Sequence, residues 1–573
     1  MKTLGISSFY HDSSACLVIN EKIIAAAAEE RFSGIKHDNT FPHQAIEFCL
    51  NEAGLAINEL DSVVFYEKPI WKFERLFNQH LEHFPLSIKV FLENTGSWLN
   101  QKLNIKKILQ QELNYHGDIF FVPHHLSHAA SAYYLSPFNN SVIVTLDGVG
   151  EWATTTVGYG EKNQIKIDRE IKFPHSIGLF YSTITAYLGF KVNNDEYKVM
   201  GLAAYGDHKP YLEKINKLVK IHSDGSYSLN MRFFDYTWAG HMPSPHMEKL
   251  FGYPTRKPES KISNYHKNIA ASLQYKTEKI ILNLLNKTYQ IYNSKNLCLA
   301  GGVALNSVVN GKILSKTSFK RLYVPPAPGD AGGAMGAALY LDQNLQSAEK
   351  KKNSHLSLAK SFTPYLGPDF KSYQIQKVLQ DSNLKYKYYP NRQQFLKKIS
   401  DLIIKKKVIG WFQGKMEWGP RALGNRSILA TAASKDMRDI LNAKVKKREM
   451  FRPFAPVILE EYVHDFFEID EPLPSLAKYM LLVYPFTKKG AKDIPSVVHV
   501  DNSGRLQSIK RKENPLYYDL IDTYRKKTGI PVIINTSFNV RGKPIVNSPQ
   551  QAIDCFLTTG IDCLVMDRFL VLK

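Results

Sequence analysis

The sequence predicts an α/β protein of two domains, the first built from two similar halves. A chain of 573 residues is too long for one hydrophobic core. A three-stranded meander with a polar first turn occurs twice in the amino-terminal part. Strand–helix alternation resumes in the carboxy-terminal third, beyond a polar, Lys-rich stretch.

The first meander opens with the apolar run 4–6 and turns through His11-Asp12-Ser13-Ser14. It continues as strands over 15–19 and 23–28, separated by Asn20-Glu21-Lys22. The second repeats this plan over 141–146, the turn Asp147-Gly148-Val149-Gly150-Glu151, and strands over 152–159 and 165–171. Mostly helical sequence follows each. Sugar kinases, actin and Hsp-type ATPases are built this way, with nucleotide phosphates held in the turns. Farther on, 297–306 reads as a strand entering a helix through Gly301 and Gly302, where backbone amides can approach a phosphate. The stretch 325–336 sets Asp330 on top of a helix whose small residues permit tight packing or ligand approach. The expected division is a first domain over 1–345, a linker over 346–370 containing Lys350-Lys351-Lys352, and a second domain over 371–573.

Composition excludes several classes. No apolar run reaches membrane-spanning length and no charged leader precedes an apolar one, so a soluble cytoplasmic protein without a membrane partner is expected. The five cysteines contain no CxxC pair, which argues against a disulfide framework or a thiolate zinc site. A net charge of +21 would suit nucleic acid, but the Lys are dispersed, which favours a solvated surface instead. There is no GxxxxGK[ST] loop and no GxSxG elbow, so neither Walker-type ATP binding nor a serine hydrolase is indicated.

The chemistry-bearing residues fall in two groups. His124 and His128 are four apart, so a helix projects both imidazoles from one face, where they can share a divalent metal. Asp147 ends the apolar run 142–146 and can add an anionic oxygen. In the last third, Lys415, Arg421 and Arg426 lie in one Gly-rich segment and Arg452 in an Arg-Pro-Phe-Ala string. Asn535, Ser537, Asn539 and Arg541 follow a third apolar strand. Arg forks suit phosphate, and Asn and Ser at a strand end supply directional hydrogen bonds. Lys446 and Lys447 read as surface cations paired with acidic neighbours.

Taken in order, GISSFYHDSSACLV, EERFSGIKHD, HHLSHAASAYY, LDGVGEW, AGGVALNSVVNGKI, PPAPGDAGGAMGAAL, GPRALGNRSILA, FRPFAPVILEE and NTSFNVRGKPIV resemble the O-carbamoyltransferase family of nodulation-factor, cephalosporin and aminoglycoside carbamoyltransferases. The resemblance implies an actin/Hsp-like (ASKHA) domain followed by a YrdC-like domain. It implies that carbamoyl phosphate and ATP, with Mg, give carbamoyl adenylate and pyrophosphate. The carbamoyl group then passes to a hydroxyl of a sugar or natural-product acceptor beside a metal, iron(II) foremost. It makes His124, His128, Asp147 and Asp330 the metal ligands, and Gly148, Gly301, Gly302 and Asn306 nucleotide contacts. His11, beside Asp12, becomes the candidate base; the alternative is a turn histidine bonded to Asp12. Lys415, Arg421, Arg426, Arg452, Arg505, Asn535, Ser537, Asn539 and Arg541 become the carbamoyl phosphate and ATP site, with Lys415 and Arg452 as its catalytic pair.

One departure is Asp501-Asn502-Ser503-Gly504-Arg505, where Gly is expected at 502; Asn tolerates a positive φ, so the turn should survive. A tRNA-modifying carbamoyl or threonylcarbamoyl transferase and a non-catalytic nucleotide-binding scaffold stay open as alternatives. A homodimer is compatible with the chain.

Overall fold

Apolar, mostly buried runs at the start of the chain form the meander that the sequence predicts. In the computed structural model, which describes residues 1–100, 102–345, 354–469 and 472–573, β1 (Lys2–Ser7) pairs antiparallel with β2 (Ser14–Ile19), Leu4 facing Leu17. β3 (Lys22–Ala28) flanks β2. On the other side, β4 (Ser62–Phe65) runs parallel to β1 and β5 (Asp118–Phe121) parallel to β4, giving the order β3-β2-β1-β4-β5.

The second half repeats this topology. β6 (Asn140–Leu146), β7 (Ala153–Glu161) and β8 (Gln164–Lys172) form the antiparallel meander. After a short hairpin of β9 (Val219–Ile221) and β10 (Tyr227–Leu229), β11 (Asn296–Ala300) joins β6 in parallel, and β12 (Arg321–Tyr323) joins β11. The order β8-β7-β6-β11-β12 is the same arrangement, so the duplicated α/β plan is present.

In each half the last strand feeds a helix: β5 leads to His124–Tyr133 and β12 to Ala331–Leu345. These helices cross at Gly336, where a Cβ would lie 1.8 Å from the Ser127 carbonyl oxygen. Only glycine permits that approach, and it brings the starts of both helices to one place. The aromatic- and Lys-rich region 71–113 is helical, with helices Pro69–Glu82, Ile88–Asn100 and Ile105–Leu113.

The second unit holds a nine-stranded mixed sheet. Its strands are β13 (Tyr386–Tyr388), β14 (Ile409–Phe412), β15 (Arg426–Thr431), β16 (Ala455–Leu459), β17 (Leu482–Pro485), β18 (Ser503–Ile509), β19 (Val532–Ser537), β20 (Cys563–Met566) and β21 (Phe569–Leu572). The order is β13-β21-β20-β14-β15-β19-β16-β18-β17. Trp411, Phe395, Ile399, Leu429, Val457 and Tyr517 are among its buried core side chains.

The units are Met1–Ala25 with Cys49–Phe362, and Ala26–Phe48 with Thr363–Lys573. This differs from a first domain running unbroken over 1–345, because 26–48 belongs with the carboxy-terminal sheet. The Ala26 amide donates to the Leu366 carbonyl at 3.2 Å. Arg31, 6 % exposed, donates from Nη2 to the Gly419 carbonyl at 2.9 Å. Of the expected linker, 346–353, with the Lys350–Lys352 run, lies outside the described residues, and Ser354–Ser361 is a helix. No helix among the described residues is long and apolar enough to cross a membrane.

Candidate functional site

His124 and His128, on the first turns of their helix, point to the same place, with Nε2 atoms 3.0 Å apart. Asp147, just past the end of β6, brings Oδ2 to 3.1 Å from His124 Nε2. Asp330, just before the Ala331–Leu345 helix, brings Oδ1 to 3.5 Å from His128 Nε2 and 3.8 Å from His124 Nε2. One ligand atom from each of these four buried residues lies within 4.8 Å of the others. The two halves of the duplicated fold thus contribute to one buried quartet.

Its electrostatics follow from that convergence. Burial opposes the charged form of Asp147, yet bonds to His124 and His128 hold its carboxyl well below the usual carboxylate range. Burial would pull His128 down, but Asp147 and Asp330 outweigh it and push the imidazole to about 9. Two carboxylates facing two imidazoles are a donor set of the kind that holds a metal ion once His128 gives up its proton. Both oxygens of Asp330 are buried without a hydrogen-bond partner among the described residues, a costly state that a divalent ion would relieve. Two imidazole nitrogens and two carboxylates suit a first-row divalent metal, so the residues fit a metal of that class.

Neighbouring groups orient the quartet. Asp147 Oδ1 accepts from the Gly302 amide at 2.8 Å. Glu151 Oε1 accepts from the backbone amides of His124 at 2.9 Å and Lys68 at 2.7 Å. His125, between the two converging histidines, donates from Nε2 to the Ala153 carbonyl at 2.8 Å. Burial, reinforced by His124, lowers it to about 3, so it stays neutral and acts as a structural anchor. The sequence motifs contain Glu151 and His125, but nothing in their spacing separates anchor from ligand.

The first-half turn reaches the same place. His11 Nδ1 bonds Asp12 Oδ2 at 2.9 Å, the contact expected of a turn histidine, while Nε2 lies 3.6 Å from Asp330 Oδ2. Burial disfavours its cation, but Asp330 and Asp12 raise it to about 9. Tyr10, unassigned from the sequence, sets its ring 4.7 Å from that of His11, tilted by 41°. Tyr66 sets its ring 5.3 Å from His124.

The Gly-rich positions are engaged within the fold. Gly301 has φ +89°, and a Cβ there would sit 2.2 Å from the Leu146 carbonyl oxygen, so this glycine serves the close approach of β11 to β6. This corrects the expectation of a phosphate-facing amide at Gly302, whose N–H is directed to Asp147. Asn306 caps the Ser307–Lys316 helix through the Val309 amide and donates to Gln274 Oε1 at 3.1 Å. The Gly148 carbonyl accepts from Ser176 Oγ at 2.6 Å.

In the second unit a different cluster forms. Lys446, at the end of a π-helical turn Leu441–Lys446, is 3 % exposed. Its Nζ donates to Asn539 Oδ1 at 2.8 Å, to the Asn539 carbonyl at 3.0 Å and to the Ser537 carbonyl. Burial, with Arg448 nearby, holds its pKa well below the usual lysine value. Reading Lys446 as a surface cation is therefore corrected. Its neighbour Lys447 is exposed, and the two differ because the widened turn rotates Lys446 inward. Ser537 Oγ donates to Asn539 Oδ1 at 2.8 Å. Glu449 lies between Arg452 at 3.5 Å and Arg541 at 3.7 Å.

Arg426 requires a second correction. It is fully buried beneath Phe412, 3.6 Å from the ring centroid, and donates to the carbonyls of Gln413, Gly414, Asn425 and Pro368. A fork engaged in this way cannot bind phosphate; it ties the loop before β15 together. Asn535 Nδ2 likewise points inward, to Gln507 Oε1 at 2.7 Å and the Ala422 carbonyl at 3.1 Å. Arg505 lies on β18 opposite Val483, and Asn502 has φ +59°, as the substituted turn requires. Lys415 and Arg421 are half-buried on the loop between β14 and β15.

The comparisons place the chain in a family. The model of the carbamoyltransferase amino terminus matches residues 2–339, and that of the carboxy terminus matches 400–573. A protein of Synechocystis sp. is 43% identical over all of this chain and 96% of its own length. The nodulation protein NolNO of Sinorhizobium fredii is 36% identical over 99% of this chain and 80% of its own. The nodulation protein NolO of Bradyrhizobium diazoefficiens is 36% identical over 78% of each. With both halves of the family pattern spanning the metal-type quartet and the lysine-centred cluster, the chain belongs to the carbamoyltransferase family and is a carbamoyltransferase.

Proposed function

We propose that the chain is an ATP-dependent O-carbamoyltransferase acting through two half-reactions. In the second unit, hydrolysis of carbamoyl phosphate releases phosphate and carbamate. A carbamate oxygen then attacks the α-phosphorus of ATP, and pyrophosphate leaves with its Mg. Arg452 and Arg541 bind the phosphates and offset charge as the P–O bond breaks, beside a strand end that Lys446 holds in place. Lys415, Arg421, Arg505, Ser537 and Asn539 complete that site, which has the character of a YrdC-like domain.

In the first unit a hydroxyl of a sugar or natural-product acceptor attacks the carbamoyl carbon, and AMP leaves. His11 is held at Nδ1 by Asp12, and its neutral form, which grows as pH rises toward about 9, takes the hydroxyl proton at Nε2. His124, His128, Asp147 and Asp330 would hold a divalent metal, iron(II) foremost, which supplies Lewis acidity toward a carbonyl oxygen. Gly148 and the chain around Gly301 lie beside the quartet and bound the pocket for the adenylate. The observation that carries this reading is the convergence of two imidazoles and two carboxylates, with Asp330 left unsatisfied.

The test is pyrophosphate release from ATP by purified protein, with and without carbamoyl phosphate and without acceptor. Carbamoyl-phosphate-dependent release is the expected result. Release that ignores carbamoyl phosphate but requires threonine and bicarbonate would replace this reading with the threonylcarbamoyl one.

A further inference from the structure

Among the described residues, the guanidiniums of three buried arginines donate to carbonyls and that of a fourth does not. Arg426 donates to carbonyls, Arg256 donates from Nε to the Leu188 carbonyl at 2.6 Å, and Arg31 reaches Gly419. Arg75, on the Pro69–Glu82 helix, is 5 % exposed. Its guanidinium makes no hydrogen bond and no ion pair among the described residues, and its Nε is a buried donor without a partner. Its one defined contact is the Phe173 ring, 4.9 Å from the guanidinium carbon. Its neighbour Lys72, by contrast, is paired with Glu67 at 2.6 Å.

A buried, unpaired guanidinium is costly to keep unless something supplies its anion. Arg75 stays charged: burial lowers it only to about 10, with Tyr10, Glu67 and Glu151 acting against the loss of its proton. Its position relates it to the quartet. Lys72, one helical turn earlier, sets Nζ 4.8 Å from the Tyr10 ring centroid, Tyr10 sets its ring beside that of His11, and His11 faces Asp330. The start of the same helix is tied through the Lys68 amide to Glu151, which also holds His124. A planar fork stacked on an aromatic ring suits a carboxylate or phosphate.

We propose that Arg75 is the oxyanion-binding residue of the first unit, receiving a carboxylate or phosphate of the molecule that reacts beside the quartet. This rests on the carbamoyl-transfer reading for what that molecule is, but not for the binding itself. The oxyanion can come from an acidic acceptor sugar or from the adenylyl phosphate of the donor. The two sources are separable by experiment.

Equilibrium binding to the full-length protein is measured for glucuronate against glucose, and for AMP against adenosine. Wild type is compared with Arg75→Met and Arg75→Lys. Binding of one acidic probe should fall at least tenfold in Arg75→Met and by less in Arg75→Lys, while its uncharged counterpart is unchanged. Loss in the glucuronate pair assigns the site to an acidic acceptor; loss in the AMP pair assigns it to the donor. Carbamoyl-phosphate-dependent pyrophosphate release should be unchanged in both variants. The ligand-free melting temperature of Arg75→Met should equal or exceed wild type, because an unpaired buried charge is removed. Equal affinity of wild type and Arg75→Met for both acidic probes overturns the proposal. So does a melting temperature that falls in both variants while acidic-probe binding persists, since the cation would then be structural. Failure of pyrophosphate release in wild type would sink the adenylation chemistry and leave this binding result standing.

Discussion

The quartet of the first unit and the lysine-centred cluster of the second are electrical opposites. One gathers two carboxylates and two imidazoles, a donor set that on the proposed reading holds a cation. The other sets Arg452 and Arg541 against Glu449 and Lys446 against Ser537 and Asn539, a cationic group that on the proposed reading receives phosphates. A reaction that needs both a polyphosphate and a polarised carbonyl cannot easily place them in one cage, because each would neutralise the other's ligands. The difference teaches that the two half-reactions proposed above should be separable by mutation.

The largest effect should come from the quartet. His128→Ala should lower carbamoyl transfer on the order of 10³-fold by removing a metal ligand, while pyrophosphate release stays within about twofold of wild type. Equal loss of both steps would end the division of labour. Next, Lys446→Met should lower carbamoyl-phosphate-dependent pyrophosphate release on the order of 10²-fold and leave metal content unchanged by elemental analysis. An unaffected rate would mean that the Ser537–Asn539 strand end keeps its place without Lys446.

Arg426→Met sharpens the contrast within the second unit. It should cost about 3 kcal/mol of stability by stranding carbonyls that the guanidinium now satisfies, read as a lower denaturation midpoint. Arg452→Ala should cost little stability and remove activity, so similar melting of both variants would contradict the different roles assigned to them. The smallest effect concerns His266, whose Nδ1 accepts from the Ser263 amide at 3.0 Å at the start of the Asn264–Tyr292 helix. Burial, with Arg256 nearby, lowers it to about 4. A histidine depressed on folding contributes stability above its unfolded pKa near 6.5, and that contribution is lost as pH falls toward 4. Between pH 7 and 5 the first unit should lose about 1–2 kcal/mol through this group. His266→Gln keeps the cap and should flatten that slope.

Much of this was legible in the sequence because it is local. The i, i+4 spacing of His124 and His128 and the strand-end position of Asp147 follow from helix and strand periodicity alone. The repeated meander announced the duplication. What was not legible depends on packing at long range. Arg426 and Arg452 both sit in Pro-containing strings that read alike as phosphate-binding, and only the fold shows one donating to four carbonyls and the other facing Glu449. Lys446 and Lys447 are adjacent and chemically alike, yet a π-helical turn buries one and exposes the other. Gly302 looks like a phosphate-loop residue until its amide is seen directed at Asp147.

The return of residues 26–48 to the carboxy-terminal sheet has a consequence for how the protein comes into being. A ribosome makes this stretch more than 300 residues before its partners Leu366 and Gly419. The second unit therefore cannot finish folding as the nascent chain grows past it, and must wait for a very long loop to close. A protease cut near residue 350 would not release it as an independent piece. It would stay threaded to the other unit through both ends of that early strand and helix.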